Sequence, residues 1–212
     1  DFHRILLYIP SNAVFIIWSR YDIDMEGKGL KKRIPIGVDD FKEIRDEGYY
    51  FVDKSELISD ILSERNKVYL FTRPRRFGKS LNLSMLDAFF NLKYPKDNRW
   101  FDGLKVSDCK ECQEHKNAYP VIHFDFKDLA TLNFDMFIKL LSKKVRSLYL
   151  RHRYLMDSDD VDKAYKIDFD HIVSCNPDIS ELVTSLYTLS EMLHSYYGKK
   201  VIILLDEYDT PM

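Results

Sequence analysis

A three-layer α/β fold around a parallel sheet is what this sequence predicts, and two segments carry the prediction. Val68-Tyr69-Leu70-Phe71-Thr72 reads as a short strand that runs into Arg73-Pro74-Arg75-Arg76-Phe77-Gly78-Lys79-Ser80, after which Leu81, Leu83, Met85, Leu86, Ala88, Phe89 and Phe90 continue as a largely buried helix. Strand, tight loop and helix in that order leave the amino end of the helix, with its unpaired N–H groups and positive dipole, facing whatever anion the loop encloses. Far along the chain, Val201-Ile202-Ile203-Leu204-Leu205 runs without polar alternation into Asp206 and Glu207. Such a strand is expected to be covered on both faces, as in a parallel sheet, and ligands bind beyond the carboxyl ends of such strands.

The loop is a GxxxxGK[ST] phosphate cradle with one position altered. Gly78, Lys79 and Ser80 fill its last three places, while Arg73 stands where the first glycine is usual. In such a loop the backbone N–H groups wrap nucleotide phosphates, the lysine ammonium reaches the outer phosphates and the hydroxyl ligates magnesium. The nucleotide-binding candidates are therefore Arg73, Pro74, Arg75, Arg76, Phe77, Gly78, Lys79, Ser80 and Leu81. A bare G-K-[ST] decides little by itself. The acidic strand end supplies the missing half: Asp206 to hold magnesium together with Ser80, and Glu207 to orient or deprotonate an attacking water. Lys79 and Glu207 are the catalytic candidates, with ATP and magnesium as ligands.

Composition limits the alternatives. A chain of 212 residues, 45% of them hydrophobic, can bury one good-sized core, and its net charge of −2 exerts no general pull towards nucleic acid or membrane. Three cysteines without a regular framework point to a reducing compartment, the cytoplasm, rather than a disulfide scaffold. The apolar run 5–17 is interrupted by Pro10, Ser11 and Asn12 and is too short to cross a bilayer. The first methionine is Met25, so residues 1–24 are expected to be an extension and 25–212 the folded domain. The intact mass of the natively expressed protein decides that point.

Between the two motifs, periodicity places the remaining elements. Asp53 and Glu56 have capping-box spacing, and Leu57, Ile58, Ile61 and Leu62 form the apolar stripe of a short helix. The polar stretch 93–117, with Pro95 and Gly103, reads as loops around a small element at 100–106. Residues 121–126 read as a strand, with Ile122, Phe124 and Phe126 on one face and Val121, His123 and Asp125 on the other. A lone strand histidine such as His123 is most often a packing residue. A long helix follows, with an apolar face of Phe134, Phe137, Ile138, Leu141, Val145, Leu148 and Leu155 opposite Lys139, Lys143, Lys144, Arg146, Arg151 and Arg153. That basic face reads first as a solvated surface and second as a nucleic-acid patch. The acidic stretch 157–162 reads as a loop. Asn176 and Pro177 are expected to start the last helix, which carries Ile179, Leu182, Val183, Leu186, Leu189 and Leu193 and stops at Gly198. Cys109 and Cys112, with His115 nearby, have half the spacing of a zinc site but lack a second ligand pair.

The segments IPIGVDDFKEIRDEGYYFVDKSELI, LFTRPRRFGKSLNLSML and YYGKKVIILLDEYDTPM together resemble the AAA-like ATPase family of bacterial proteins, from about Lys32 onward. The arginine at the first loop position is similar to what that family carries. The resemblance implies an additional-strand P-loop fold, in which a later strand inserts between the acidic strand and the loop strand and its polar end senses the γ-phosphate. The chain ends at Met212 before such a strand, so the expectation is a piece of a longer polypeptide. Its sheet would have a vacant central slot between 68–72 on one side and 201–205 with 121–126 on the other. The resemblance also implies adenine near Tyr49-Tyr50-Phe51-Val52-Asp53, and commonly a restriction-endonuclease-like nuclease domain in the full-length protein. Homo-oligomers and nucleic acid are further candidate partners. Two other classes remain open beside an ATPase: a nucleotide-gated interaction module with little turnover, and a nucleic-acid-associated module using the basic helix.

Overall fold

In the computed structural model, residues 32–64, 66–71, 78–131, 133–174 and 177–207 are described. The expected extension 1–24 and loop residues Arg73, Pro74, Arg75, Arg76 and Phe77 lie outside them. In chain order the elements are α1 (Phe41–Asp46), α2 (Glu56–Glu64), α3 (Lys79–Phe90), a 3-10 turn (Lys105–Asp108), α4 (Lys110–His115), β1 (Val121–Asp125), α5 (Phe134–Arg151), a second 3-10 turn (Arg153–Asp157), α6 (Lys163–Ser174), α7 (Ile179–Tyr197) and β2 (Ile202–Asp206). The result is a mixed α/β arrangement.

β1 and β2 pair in parallel, in register from Val121 opposite Ile202 to Asp125 opposite Asp206. Because side chains alternate across a pleated strand, the two faces of this small sheet serve two cores. Val121 and Leu204 pack with Met85, Leu86 and Phe89 of α3. Ile122 and Phe124 pack with Val145, Leu148 and Tyr149 of α5 and with Leu189 of α7. A two-stranded sheet is marginal alone, so its stability comes from these helices.

Two expectations about strands need correction. Residues 68–71 form no ladder, and Val68 and Leu70 are 82% and 66% exposed. Among the described residues this segment is held by local ties of Tyr69, whose hydroxyl donates to the Ile61 carbonyl and accepts the Asn66 amide and whose ring stacks on Phe71. Similarly, β2 is not covered on both faces, since Ile203 and Leu205 remain 41% exposed. Apolar composition registers the potential for burial, and the partner that realises it is a separate matter.

α3 is held most firmly at its carboxyl end. The amide of Asn117 donates to the Phe89 carbonyl at 2.6 Å, its side chain to the carbonyls of Ala88 and Asn91, and the amide of Tyr119 to the Phe90 carbonyl at 3.0 Å. Thus the last carbonyls of the helix, which have no partner within it, are satisfied by the residues that lead into β1. Asn117 reaches them with a left-handed φ of 49°, a conformation asparagine tolerates better than most residues. Buried Asp87 adds a second clamp, accepting from Asn91 Nδ2, Tyr94 Oη and Lys93 Nζ. Burial, with the Asp87 charge beside it, pushes the Tyr94 hydroxyl well above its ordinary pKa.

The helices of the N-terminal half close around aromatic rings. Phe89 meets Phe101 at 5.1 Å, Phe101 meets Phe41 at 4.9 Å, and Phe41 meets Phe51 at 5.2 Å between centroids. Ser84 of α3 accepts the Phe41 amide and so ties α1 to α3. The predicted capping box does not form. Asp53 accepts the amides of Ser55 and Lys105, and Glu56 pairs with the Lys105 ammonium, which joins α2 to the first 3-10 turn. Burial alone would raise the Asp53 carboxyl, but these hydrogen bonds outweigh it and hold the group below the usual carboxylate range. α4 lies in the stretch read as loop, too short for a periodic signal.

Three findings change the reading of the crossover from β1 to β2. α5 ends at Arg151, so Leu155 is buried from a 3-10 turn rather than from the helix, and Phe134 at the start of the apolar stripe is 63% exposed. α6 was not anticipated, although Phe169 and Ile172 at three-residue spacing pack into the second core. The cap of α7 is Asp178, which forms a capping box with Glu181, while Asn176 lies outside the described residues; Gly198 ends the helix with φ 61° as expected. Ile179 and Val183 face outward. Tyr149, buried at the centre, donates to the Ser185 carbonyl at 2.6 Å.

Phe89 is fully buried, so Phe89→Ala is expected to cost about 3–5 kcal/mol in denaturant unfolding. Burial, with Arg151 and Lys93 nearby, lowers the His152 imidazole to about 4. Since the folded protein then holds fewer protons than the unfolded chain, stability is present above pH 6.5 and is lost as pH falls towards 4. His152→Gln should flatten that slope, removing a loss on the order of 2 kcal/mol in unfolding followed across this range.

Candidate functional site

Gly78 opens α3 in the left-handed region, φ 72° and ψ 28°, and no side chain caps the helix at this residue. A residue with a Cβ would be strained there. The first-turn amides therefore have no partner inside the helix, and Lys79 and Ser80 begin it half-buried, with Leu81 beside them. Of the nine predicted nucleotide-binding residues, these last four are described.

The direction of α3 sets where its amino end lies. Its carboxyl end is bonded to residues 117–119, immediately before β1, and its body packs on Val121 and Leu204. A helix of 12 residues is roughly 18 Å long and a strand of five about 17 Å. A helix of that length running back along such strands directs its amino end, with Gly78, Lys79 and Ser80, towards the end of the sheet where β1 and β2 finish. Asp206 terminates β2 at that end.

Asp206 is only 7% exposed, and its Oδ1 accepts the amide of Glu207 at 2.9 Å. Its Oδ2 accepts no hydrogen bond from the described residues. Glu207 follows in the left-handed region, φ 48°, and is half-buried. The same sheet end carries Asp125, in register with Asp206 and therefore on the same face. A buried carboxylate with one oxygen that takes no hydrogen bond from the described residues, together with a helix start bearing a serine hydroxyl, is a donor set suited to magnesium, which takes one or two protein oxygens and fills its shell with phosphate and water. Among the described residues no group of three or more His, Cys, Asp or Glu side chains could enclose a metal alone.

Other expected features resolve differently. Cys109 and Cys112 form a disulfide, and His115 bonds Tyr119, so the zinc reading is set aside, as is the expectation that the cysteines stay unpaired. His123 is half-buried on the α3 face of β1. In the segment where adenine was expected, Phe51 is packed against Phe41 and Asp53 is occupied by Lys105, while Tyr50 stays exposed. No described helix is long and apolar enough to cross a membrane. Lys144, counted on the basic face, instead turns inwards to two main-chain carbonyls.

Alkylation with and without a dithiol reductant checks the cysteine pairing. Cys109 and Cys112 should take label only after reduction.

Comparison with known proteins gives the context of this site. A family model described as "Predicted AAA-ATPase" matches residues 35–212. An "Uncharacterized protein in vnfD 5'region" from Azotobacter chroococcum mcd 1 is 26% identical over 183 residues, which is 86% of this chain and 30% of that protein. The chain thus spans about a third of the length of that relative. No solved structure matches. With the family model covering most of its length, the chain belongs to the predicted AAA-ATPase family.

Proposed function

We propose that this chain carries a magnesium-dependent ATP site and hydrolyses ATP in its full-length form, on an additional-strand P-loop fold of three layers. What supports the reading is the left-handed Gly78 with Lys79 and Ser80 at the start of α3, and Asp206 with Glu207 at the end of β2, two groups that α3, running back along the strands, would bring to one end of the sheet. Membership of the predicted AAA-ATPase family supports it.

Each residue has a distinct task in this reading. The amides of Arg76 to Ser80 would hold the phosphates, because they are the donors a helix start leaves unpaired. Lys79 would neutralise charge on the outer phosphates. Ser80 Oγ and Asp206 Oδ2 would hold magnesium, Asp206 directly or through water. Magnesium, when bound, supplies charge neutralisation across the β- and γ-phosphates. Glu207 would orient the attacking water or accept its proton, and the half-buried setting of this residue suits a carboxylate meant to act on one water rather than on bulk solvent. Residues 25–212 belong to the ATPase domain in this proposal.

Two substitutions test it. Lys79→Ala removes a charge-assisted contact and should weaken ATP binding roughly 10- to 100-fold in calorimetry; unchanged affinity refutes the site. Glu207→Gln should keep ATP bound while turnover falls roughly 100-fold or more. A protein whose phosphate release is already absent, and which behaves identically as Glu207→Gln, is a nucleotide-gated module instead.

A further inference from the structure

We propose that Lys144 is a positioning residue for the magnesium-binding end of the sheet, acting on Asp206 through a single peptide group. The inference rests on the nucleotide-binding reading above. Lys144 lies on α5, and its ammonium donates to the carbonyl of Asp125 at 2.8 Å and to that of Lys127. The Asp125 carbonyl shares its peptide plane with the amide of Phe126, and that amide donates to the Asp206 carbonyl at 3.0 Å. One rigid, planar unit therefore has a cation on its oxygen side and the end of β2 on its nitrogen side. Hydrogen bonds at the two ends of one peptide polarise each other, so the ammonium strengthens the amide's grip on Asp206.

The turn around this unit is built to receive the lysine. Asp125 Oδ1 accepts the Lys127 amide at 2.6 Å, the Leu129 amide donates to the Phe126 carbonyl, and Asp128 takes a left-handed φ of 68°. Leu129 anchors the far side of the turn, 1% exposed. Folded this way, the chain presents the carbonyls of Asp125 and Lys127 to α5. Neighbouring Lys143 is exposed on the same helix, so the inward turn of Lys144 is specific to its position. A strand end that shifts by even a fraction of an ångström moves Asp206, whose oxygens have little freedom once Oδ1 is held by the Glu207 amide. Residues that orient metal ligands typically change metal affinity 10- to 100-fold when lost.

The test compares Lys144→Met, which keeps the aliphatic stem and loses the donor, with Lys144→Arg and with Lys143→Met, all in the intact protein. ATP affinity is measured by calorimetry with magnesium and with EDTA, and amide hydrogen exchange is followed at Phe126 without ligand. Lys144→Met should lose about tenfold in affinity for magnesium-ATP while metal-free ATP affinity stays within about twofold, with Lys144→Arg recovering most of the loss and Lys143→Met showing none. Exchange at Phe126 should accelerate in Lys144→Met before any nucleotide is added. Equal losses with and without magnesium, or no loss at all, overturn the proposal. A wild-type protein that binds no ATP, with Lys79→Ala indistinguishable from it, instead overturns the nucleotide reading and this proposal with it.

Discussion

The carboxyl end of α3 is captured by the residues that lead into β1, and the placement of almost everything else follows from that capture. Helix ends leave carbonyls without partners, and a buried end needs them satisfied from elsewhere. Asn117 and Tyr119 do so at Ala88, Phe89, Phe90 and Asn91, from a segment that then becomes a strand. The helix axis and the strand direction are coupled in consequence. With one end of α3 held at the start of β1, the other end, with Gly78, Lys79 and Ser80, is directed towards the opposite end of the sheet. The Asp87 cluster and the Phe89–Phe101–Phe41 rings stiffen the same joint from the side.

At the opposite end the sheet is finished by main-chain chemistry rather than by side-chain packing. The Asp125–Phe126 peptide links α5 to β2 through Lys144 and Asp206. This explains why a lysine can sit half-buried in a helix that otherwise turns Val145, Leu148 and Tyr149 inward. Two carbonyl oxygens replace the water that its ammonium gives up, which offsets the desolvation cost of a partly buried charge. The basic face of α5 thereby loses one of its members to a structural task, and the case for a nucleic-acid patch there weakens.

The sheet keeps one apolar margin open. Ile203 and Leu205 of β2 are partly exposed, and Val68 and Leu70 are largely exposed. Exposed β-branched and leucine side chains on a strand edge are a surface that a further strand can cover.

Local signals in the amino-acid sequence were enough for α3, for β1 and its two faces, for β2 and its acidic end, and for the glycine stop of α7. Each of these depends on periodicity or on a single residue's backbone preference, quantities that a short window contains. Gly78 and Gly198 adopt the left-handed φ that their positions demand. Membership of the predicted AAA-ATPase family was also legible, since three separated segments carry it. Tertiary structure alone decided which partners the polar residues took: Asp53 and Glu56 went to Lys105 instead of to each other, Asp178 capped α7, and Cys109 closed on Cys112. It also decided that Asn117 ends α3 and that Lys144 points to the Asp125 carbonyl rather than to solvent. Polar side chains choose among donors and acceptors many residues away, and hydrogen bonds of similar strength compete for each of them, so only the folded chain, which fixes their distances, selects one.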